Sequence, residues 1–241
     1  MTLSAIIISK SPIVESRLIL SLSFADEILI IYSEGKEISS KKESVRYLKH
    51  NFVNFADQRN FGLSMAKNDW VFFVDTDEIV SKQLATEIKN TLLNSSLDAY
   101  LIPRRDIVFH QVLLYGETGE IKILRLAKRN SGQFVRDVHE QWQINGKIGE
   151  LFNPLYHQKD HFISEFLDRI NLYGQFDANN LTSEGKPFSY FRLIIYPKAK
   201  FILNYLLKKG YFDGLPGLFQ AYLMSIQSLS VRVFQWEKRQ S

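Results

Sequence analysis

The feature that most constrains this chain is an apolar run that ends in acids. Trp70-Val71-Phe72-Phe73-Val74 reads as a buried strand and passes directly into Asp75-Thr76-Asp77-Glu78. Carboxylates crowded at the end of a buried strand are costly unless a cation or a partner charge neutralises them. If extended alternation continues, Asp75 and Asp77 share one side and Thr76 takes the other. Two such carboxylates suit a hard divalent ion, Mn2+ or Mg2+, that also holds substrate phosphates. The same acids also suit the approach to a helix opening near Ser81, because negative charge is favoured at helix N-termini. Taken alone, they fit both readings.

The flanking segments alternate in type. Ser4–Ser9 and Glu27–Tyr32 read as buried strands, with a helix over Ile13–Leu22 between them. Ser40–His50 reads as a polar helix, Phe52–Phe55 as a short strand and Ala56–Lys67 as a helix. Ser81–Leu93 is amphipathic, with Leu84, Ile88 and Leu92 at four-residue spacing and Ser81 as N-cap. Strand–helix alternation predicts an α/β fold with a mostly parallel sheet covered on both faces. Ligands of such sheets bind outside the carboxyl ends of the strands, which is where Asp75–Glu78 falls. Ala99–Pro103, Ile107–Tyr115 and Ile121–Ala127 read as further strands. Helices follow over Asp160–Asn180, Phe188–Lys209 (interrupted at Pro197) and Asp213–Gln235.

With 241 residues, 45% of them hydrophobic, the chain can bury one sizeable domain or a domain with a helical appendage. It has no cysteine, which excludes disulfides and thiolate metal sites and is compatible with a reducing compartment. Its first residues lack a basic n-region, and its apolar runs are too short for a spanning helix. The net charge of +4 is unevenly placed. Residues 185–241 hold nine Lys/Arg against two acids, a net +7 that points to an anionic partner, while the rest is net negative.

Four phrases in order, Ala25-Asp26-Glu27-Ile28, Gln58-Arg59-Asn60-Phe61, Asp75-Thr76-Asp77-Glu78 and Val138-His139-Glu140, resemble family 2 glycosyltransferases. The resemblance is strongest to bacterial enzymes that glycosylate lipopolysaccharide core and other envelope polysaccharides. Tyr156-His157 and Lys209-Gly210-Tyr211-Phe212-Asp213-Gly214 extend it over nearly the whole chain. Two places depart from the family pattern. Ser11-Pro12 stands where members carry Asn-Glu, and Tyr32-Ser33-Glu34-Gly35-Lys36 replaces an Asp-Ser-Gly-Ser-Thr-Asp-like loop.

The resemblance implies a GT-A-type nucleotide-diphospho-sugar transferase fold over residues 1–160 and a helical C-terminal extension over 161–241. It also implies metal-dependent, inverting transfer of a sugar, by default glucose from a UDP-sugar, to an envelope glycan or lipid-linked acceptor such as lipopolysaccharide core. Asp77 would bind the metal directly, Asp75 the ribose and metal region, and His157 the metal or diphosphate. Gln58, Arg59 and Asn60 would face the nucleotide, with Arg59 on phosphate or orienting the carboxylates. In the loop that departs from the family pattern, the residue types themselves suggest that Tyr32 would stack on the base and that Ser33 or Glu34 would accept its hydrogen bonds. Inversion needs a base for the acceptor hydroxyl proton; Asp137, His139 and Glu140 are the candidates, and the resemblance favours Glu140. Arg125, a cation in an apolar strand, needs a diphosphate or carboxylate partner.

The tail interleaves Phe188, Tyr190, Phe191, Tyr196, Phe201 and Tyr205 with Arg192, Lys198, Lys200, Lys208 and Lys209. That composition suits peripheral contact with an anionic membrane, consistent with a cytoplasmic protein at the inner face of the cytoplasmic membrane. It equally suits a basic cap packing its aromatics inward. No nucleic-acid motif accompanies the charge. A nucleotidyltransferase would carry a glycine-rich basic loop after the first strand, and Ser9-Lys10-Ser11-Pro12 has no glycine. The altered loops leave one non-catalytic alternative, a degenerate module that binds nucleotide sugar or glycan.

Overall fold

A computed structural model of the chain describes residues 2–40, 42–136 and 140–240. In chain order its elements are β1 (Leu3–Ser9), α1 (Ser16–Ser21), β2 (Glu27–Tyr32), β3 (Val45–Lys49), α2 (Phe55–Met65), β4 (Trp70–Asp75), β5 (Glu78–Val80), α3 (Lys82–Leu93) and β6 (Ala99–Val108). Then come β7 (Gln111–Val112), β8 (Lys122–Lys128), β9 (Gly132–Val135), β10 (Gln141–Ile144), β11 (Ile148–Glu150), β12 (Leu155–Lys159), α4 (Phe162–Ser183), α5 (Tyr190–Ile202) and α6 (Gly214–Gln240). They form two compact units, residues 2–104 with 122–157, and residues 105–121 with 158–240.

In the first unit the ladder runs β3-β2-β1-β4-β8-β6-β12-β5. β1 pairs parallel with β2 and with β4, and β2 parallel with β3. β8 joins β4 and β6 antiparallel, so the sheet is mixed. The central strands are apolar throughout because both faces are buried, and alternate residues supply two cores. Ala5, Ile7, Ile28, Ile30, Trp70 and Phe72 face Leu18 of α1 and Leu84 and Ile88 of α3. Ile6, Leu29, Ile31, Val71 and Phe73 face Ala56 and Leu63 of α2 and the Phe134–Trp142 pair of the β9–β10 hairpin. Gly62 lets α2 lie close: a Cβ there would be 3.0 Å from Ile6 Cγ2.

Asp26 and Glu27 hold the end of the sheet opposite the acids of β4. Asp26 accepts the Leu3 N–H at 2.8 Å. Glu27, almost fully buried, accepts from Ser4 Oγ (2.7 Å), Arg46 Nη1 (2.6 Å) and the Lys67 N–H (3.0 Å). Burial opposes its ionisation, but these donors prevail and hold its carboxyl below the usual range.

Several sequence expectations are corrected. The polar helix expected over Ser40–His50 is replaced by β3, because Val45 and Tyr47 pack on the core while the strand pairs along the edge of β2. The Phe52–Phe55 strand is absent: Asn54 accepts the Asp57 N–H at 2.7 Å and caps α2. Asp77 lies in the turn after β4, so strand alternation does not carry through from Asp75. α3 does begin behind Ser81, whose hydroxyl accepts the Leu84 N–H at 3.1 Å.

In the second unit the tail of β6 turns back at Phe109 and His110, both at positive φ, and pairs with β7 rather than running on to Tyr115. Val108, Leu113, Phe162, Phe166, Ile170 and Leu223 form its core. Buried Asp213 accepts the N–H groups of Leu114 (3.1 Å) and Tyr115 (2.9 Å), which accounts physically for the Gly210-Tyr211-Phe212-Asp213-Gly214 phrase. α5 carries Pro197 without breaking and continues into one π turn, Leu203–Leu207.

Candidate functional site

The carboxyl ends of β1, β2 and β4 open onto two recesses in the first unit. The first, about 440 Å³, is lined by Ser9, Lys10, Glu34, Phe52, Phe55 and Gln58, among others. Gln58 sits in the first turns of α2 and is 1% exposed. Its Nε2 donates to the His50 carbonyl at 2.9 Å, which leaves Oε1 as a buried acceptor with no partner among the described residues. A buried unpaired acceptor is costly and calls for a donor from elsewhere. Glu34 is exposed and 3.5 Å from Lys10. Tyr32 is 1% exposed and its hydroxyl donates to the Lys36 carbonyl at 3.4 Å. It therefore offers no ring face to a base, which corrects the stacking role expected of it. The exposed aromatics at this rim are Phe52 and Phe55, edge to face at 5.2 Å.

The second recess, about 480 Å³, is lined by Arg59, Asp75, Arg125, Phe134, Glu140 and Trp142, with neighbours. One helical step past Gln58, Arg59 points here. Its guanidinium joins two carboxylates distant in sequence: Nη2 donates to Asp75 at 3.0 Å and Nε to Glu140 at 3.2 Å. Phe73 and Phe134 lie against the cation at 5.4 and 5.5 Å. Nη1 is buried with no partner among the described residues. Arg125 comes in from β8, donates twice to Asp75, and reaches Glu78 at 3.4 Å. Burial penalises the Asp75 charge, but Arg125 and Arg59 outweigh it and hold the carboxyl far below its ordinary value. Burial likewise opposes the Arg125 charge, and Asp75 and Glu78 overcome it, so the guanidinium stays protonated. Glu78 shifts the other way, pushed up mainly by burial, with Asp75 adding repulsion. It is 1% exposed, accepts the Asp75 N–H at 2.9 Å, and is not a solvated helix-start acid.

Asp77 separates from this cluster and meets His157, with Oδ2 3.0 Å from Nε2. β5 and β12 make the contact by placing Glu78 opposite His157 in antiparallel register. Asn60 departs from the expectation that it faces the nucleotide. Its amide donates to the Phe134 carbonyl and accepts the Phe134 N–H, both at 2.8 Å, which pins β9 to α2. Asp137, Val138 and His139 lie outside the described residues. Among the described residues no group of three or more carboxylates and imidazoles is spaced to hold a metal.

The profile described as "Glycosyl transferase family 2" matches residues 26–152, more than half of the chain. The chain belongs to glycosyl transferase family 2. The matched span contains Gln58, Arg59, Asp75, Asp77, Arg125 and Glu140 and ends before His157. This glycosyltransferase is 23% identical over 222 residues to an uncharacterized glycosyltransferase of Rickettsia typhi, covering 84% of this chain and 75% of the relative. It is 24% identical over 181 residues to the lipopolysaccharide core biosynthesis glycosyltransferase LpsC of Rhizobium meliloti, covering 73% of this chain and 67% of LpsC. Among solved structures, S. aureus TarS 1–349 in complex with UDP-GlcNAc matches at 15% identity and a TM-score of 0.49, covering 100% of this chain and 92% of that one.

Sequence reading did not single out Trp142, Phe52 or Phe55 of this glycosyltransferase. Trp142 stacks on Phe134 at 4.9 Å, lines the second recess, and carries a buried Nε1–H with no partner among the described residues. The alternation Gln141-Trp142-Gln143-Ile144 directly after Glu140 was a legible signal: a strand with one buried aromatic beside that carboxylate.

Proposed function

We propose that this glycosyltransferase moves a hexose, glucose by default, from a UDP-sugar to a hydroxyl of an envelope glycan or lipid-linked acceptor such as lipopolysaccharide core, with inversion. The observation that carries the reading is the Arg59 bridge, which holds Glu140 and Asp75 on either side of one open recess at the sheet's carboxyl rim. Glu140 takes the proton of the acceptor hydroxyl as its oxygen attacks the anomeric carbon and the bond to the diphosphate breaks. Arg59 fixes the orientation of that carboxylate, and its buried Nη1–H, without a partner among the described residues, would donate to an anionic oxygen of the donor once a side-chain shift uncovers it. Gln58 Oε1 meets the requirement of uracil, whose N3 carries a hydrogen. Cytosine presents an acceptor at that atom and would be rejected.

For the divalent ion, Mn2+ or Mg2+, Asp77 and His157 are the adjacent oxygen and nitrogen donors; diphosphate oxygens would complete the shell. Asp75, held by two arginines, is the poorer ligand. When bound, the ion would neutralise charge on the departing diphosphate. The name of LpsC supports an acceptor of the lipopolysaccharide-core class.

The test is calorimetric titration with UDP and CDP, followed by transfer assays over a panel of UDP-sugars with and without Mn2+. UDP should bind at least tenfold more tightly than CDP, and Gln58→Leu should erase the difference. Asp77→Ala should abolish metal-stimulated turnover in a protein that stays folded. Equal binding of both nucleotides would refute the base assignment. Full turnover by Asp77→Ala would refute the metal assignment. Selective UDP-sugar binding without transfer from any donor would replace the enzyme with the degenerate binding module.

A further inference from the structure

The stretch 185–212 contains six Lys/Arg and no acid. At 100° per residue, Tyr190, Phe191, Ile194, Ile195, Lys198 and Ile202 of α5 fall within one arc of about 140°. Most of that arc faces solvent, although Phe201, which falls in it near Tyr190, is half-buried. Tyr190 and Phe191 are each 67% exposed and Ile194 is 55% exposed, whereas Pro197, just outside the arc beside Tyr190, is buried. The usual pattern of a surface helix is thus inverted: large apolar side chains face outward, with a lysine at their centre. Three of the segment's cations have acidic partners: Lys186 with Glu184, Lys200 with Glu117 and Lys208 with Glu120. Among the described residues no ion pair engages Lys198, Lys209 or Arg192, and the last donates to the Pro187 carbonyl at 3.1 Å.

An outward apolar stripe of this size marks an interaction surface. Charge decides the occupant. A second copy docking the same face would set Lys198 near its own counterpart with no acid in the segment to compensate, and like charges across an interface are costly. An anionic bilayer instead accepts the aromatics at its headgroup boundary and pairs its phosphates with Lys198. At 13 residues α5 is about 20 Å long, too short to span a bilayer core of about 30 Å, and no helix among the described residues is long and apolar enough to cross a membrane.

We infer that the outward face of α5 seats this glycosyltransferase on an anionic phospholipid surface, with Tyr190, Phe191, Ile194, Ile195 and Ile202 in the headgroup boundary and Lys198 on lipid phosphates. This goes beyond the catalytic reading, because vesicle binding needs neither donor nor turnover and the two can fail separately. The experiment is flotation of the full chain with vesicles of pure phosphatidylcholine and of phosphatidylcholine containing about one-third phosphatidylglycerol. The wild-type chain should float with the anionic vesicles and not the neutral ones, and added salt should release it. Lys198→Ala should weaken partitioning about fivefold. Phe191→Ser with Ile194→Ser should weaken it by more than about tenfold. Unchanged melting temperatures would show that both variants fold. Failure of the wild-type chain to float, equal flotation with neutral vesicles, or variants that float as well as wild type would overturn the inference. So would a dimer in solution that Phe191→Ser with Ile194→Ser dissolves.

Discussion

Replacing Arg59 by methionine tests the bridge on which the site depends. The side chain is 6% exposed and gives charge-assisted hydrogen bonds to Asp75 and to Glu140. Such bonds contribute about 1.5–3 kcal/mol each, roughly 3–6 kcal/mol for the pair. Two facts reduce the loss. Asp75 keeps Arg125, and the Asp75 and Glu140 side chains are 33% and 22% exposed, so water takes over part of the work. Methionine retains an apolar stem between Phe73 and Phe134 but forfeits the cation–π contacts, worth about 0.5–1 kcal/mol. The net expectation is a destabilisation of about 3 kcal/mol, which for a chain of this size lowers Tm by roughly 6–12 °C. If Arg59 acts on catalysis by placing Glu140, Arg59→Met and Glu140→Gln must be non-additive. Glu140→Gln should lose about 10²–10⁴ in kcat. Adding Arg59→Met should then lower the rate little further, with a coupling of about 1–2 kcal/mol in stability. The assay is a double-mutant cycle read by calorimetry and by initial transfer rates. Additivity within about 0.5 kcal/mol in both would refute the bridge as the positioning device.

Two further predictions concern what surrounds the site. The depressed carboxyl of Glu27 adds stability that is present above its unfolded value, ~4.3, and lost as pH falls through the lower folded value. Glu27→Gln should therefore cost about 2 kcal/mol at neutral pH and flatten the acid limb of the stability curve, as followed by urea titration at several pH values. An acid limb identical to wild type would show that Glu27 is not the group responsible. Gly132→Ala would place a Cβ 1.8 Å from the Gln143 carbonyl oxygen across the β9–β10 hairpin. That clash should force the hairpin apart, cost about 1–3 kcal/mol and remove activity by displacing Trp142; unchanged Tm and turnover would contradict the hairpin geometry.

Local sequence and tertiary structure divided the determination of this protein unevenly. The apolar runs of β1, β2 and β4 could only be buried strands, and the Ser81-capped stripe of α3 could only be a helix lying on them. Both follow from the periodicity of side chains along the chain, which is a local property. The acids of Asp75-Thr76-Asp77-Glu78 were visible as a costly cluster, but nothing local showed how its charges divide. Asp75 goes to Arg59 and Arg125, 16 and 50 residues away, Glu78 is buried behind it, and Asp77 turns to His157, 80 residues on. The same limit misplaced β3, whose polar sequence favours helix until the open edge of β2 offers hydrogen bonds and the core accepts Val45. It also hid the fate of Tyr32 and Asn60, whose hydrogen-bonding atoms the backbone claims. Which opposite charges meet in a low-dielectric interior is set by loop closure and by the need to leave no ion unpaired. Those conditions belong to the assembled fold and not to any stretch of residues read alone.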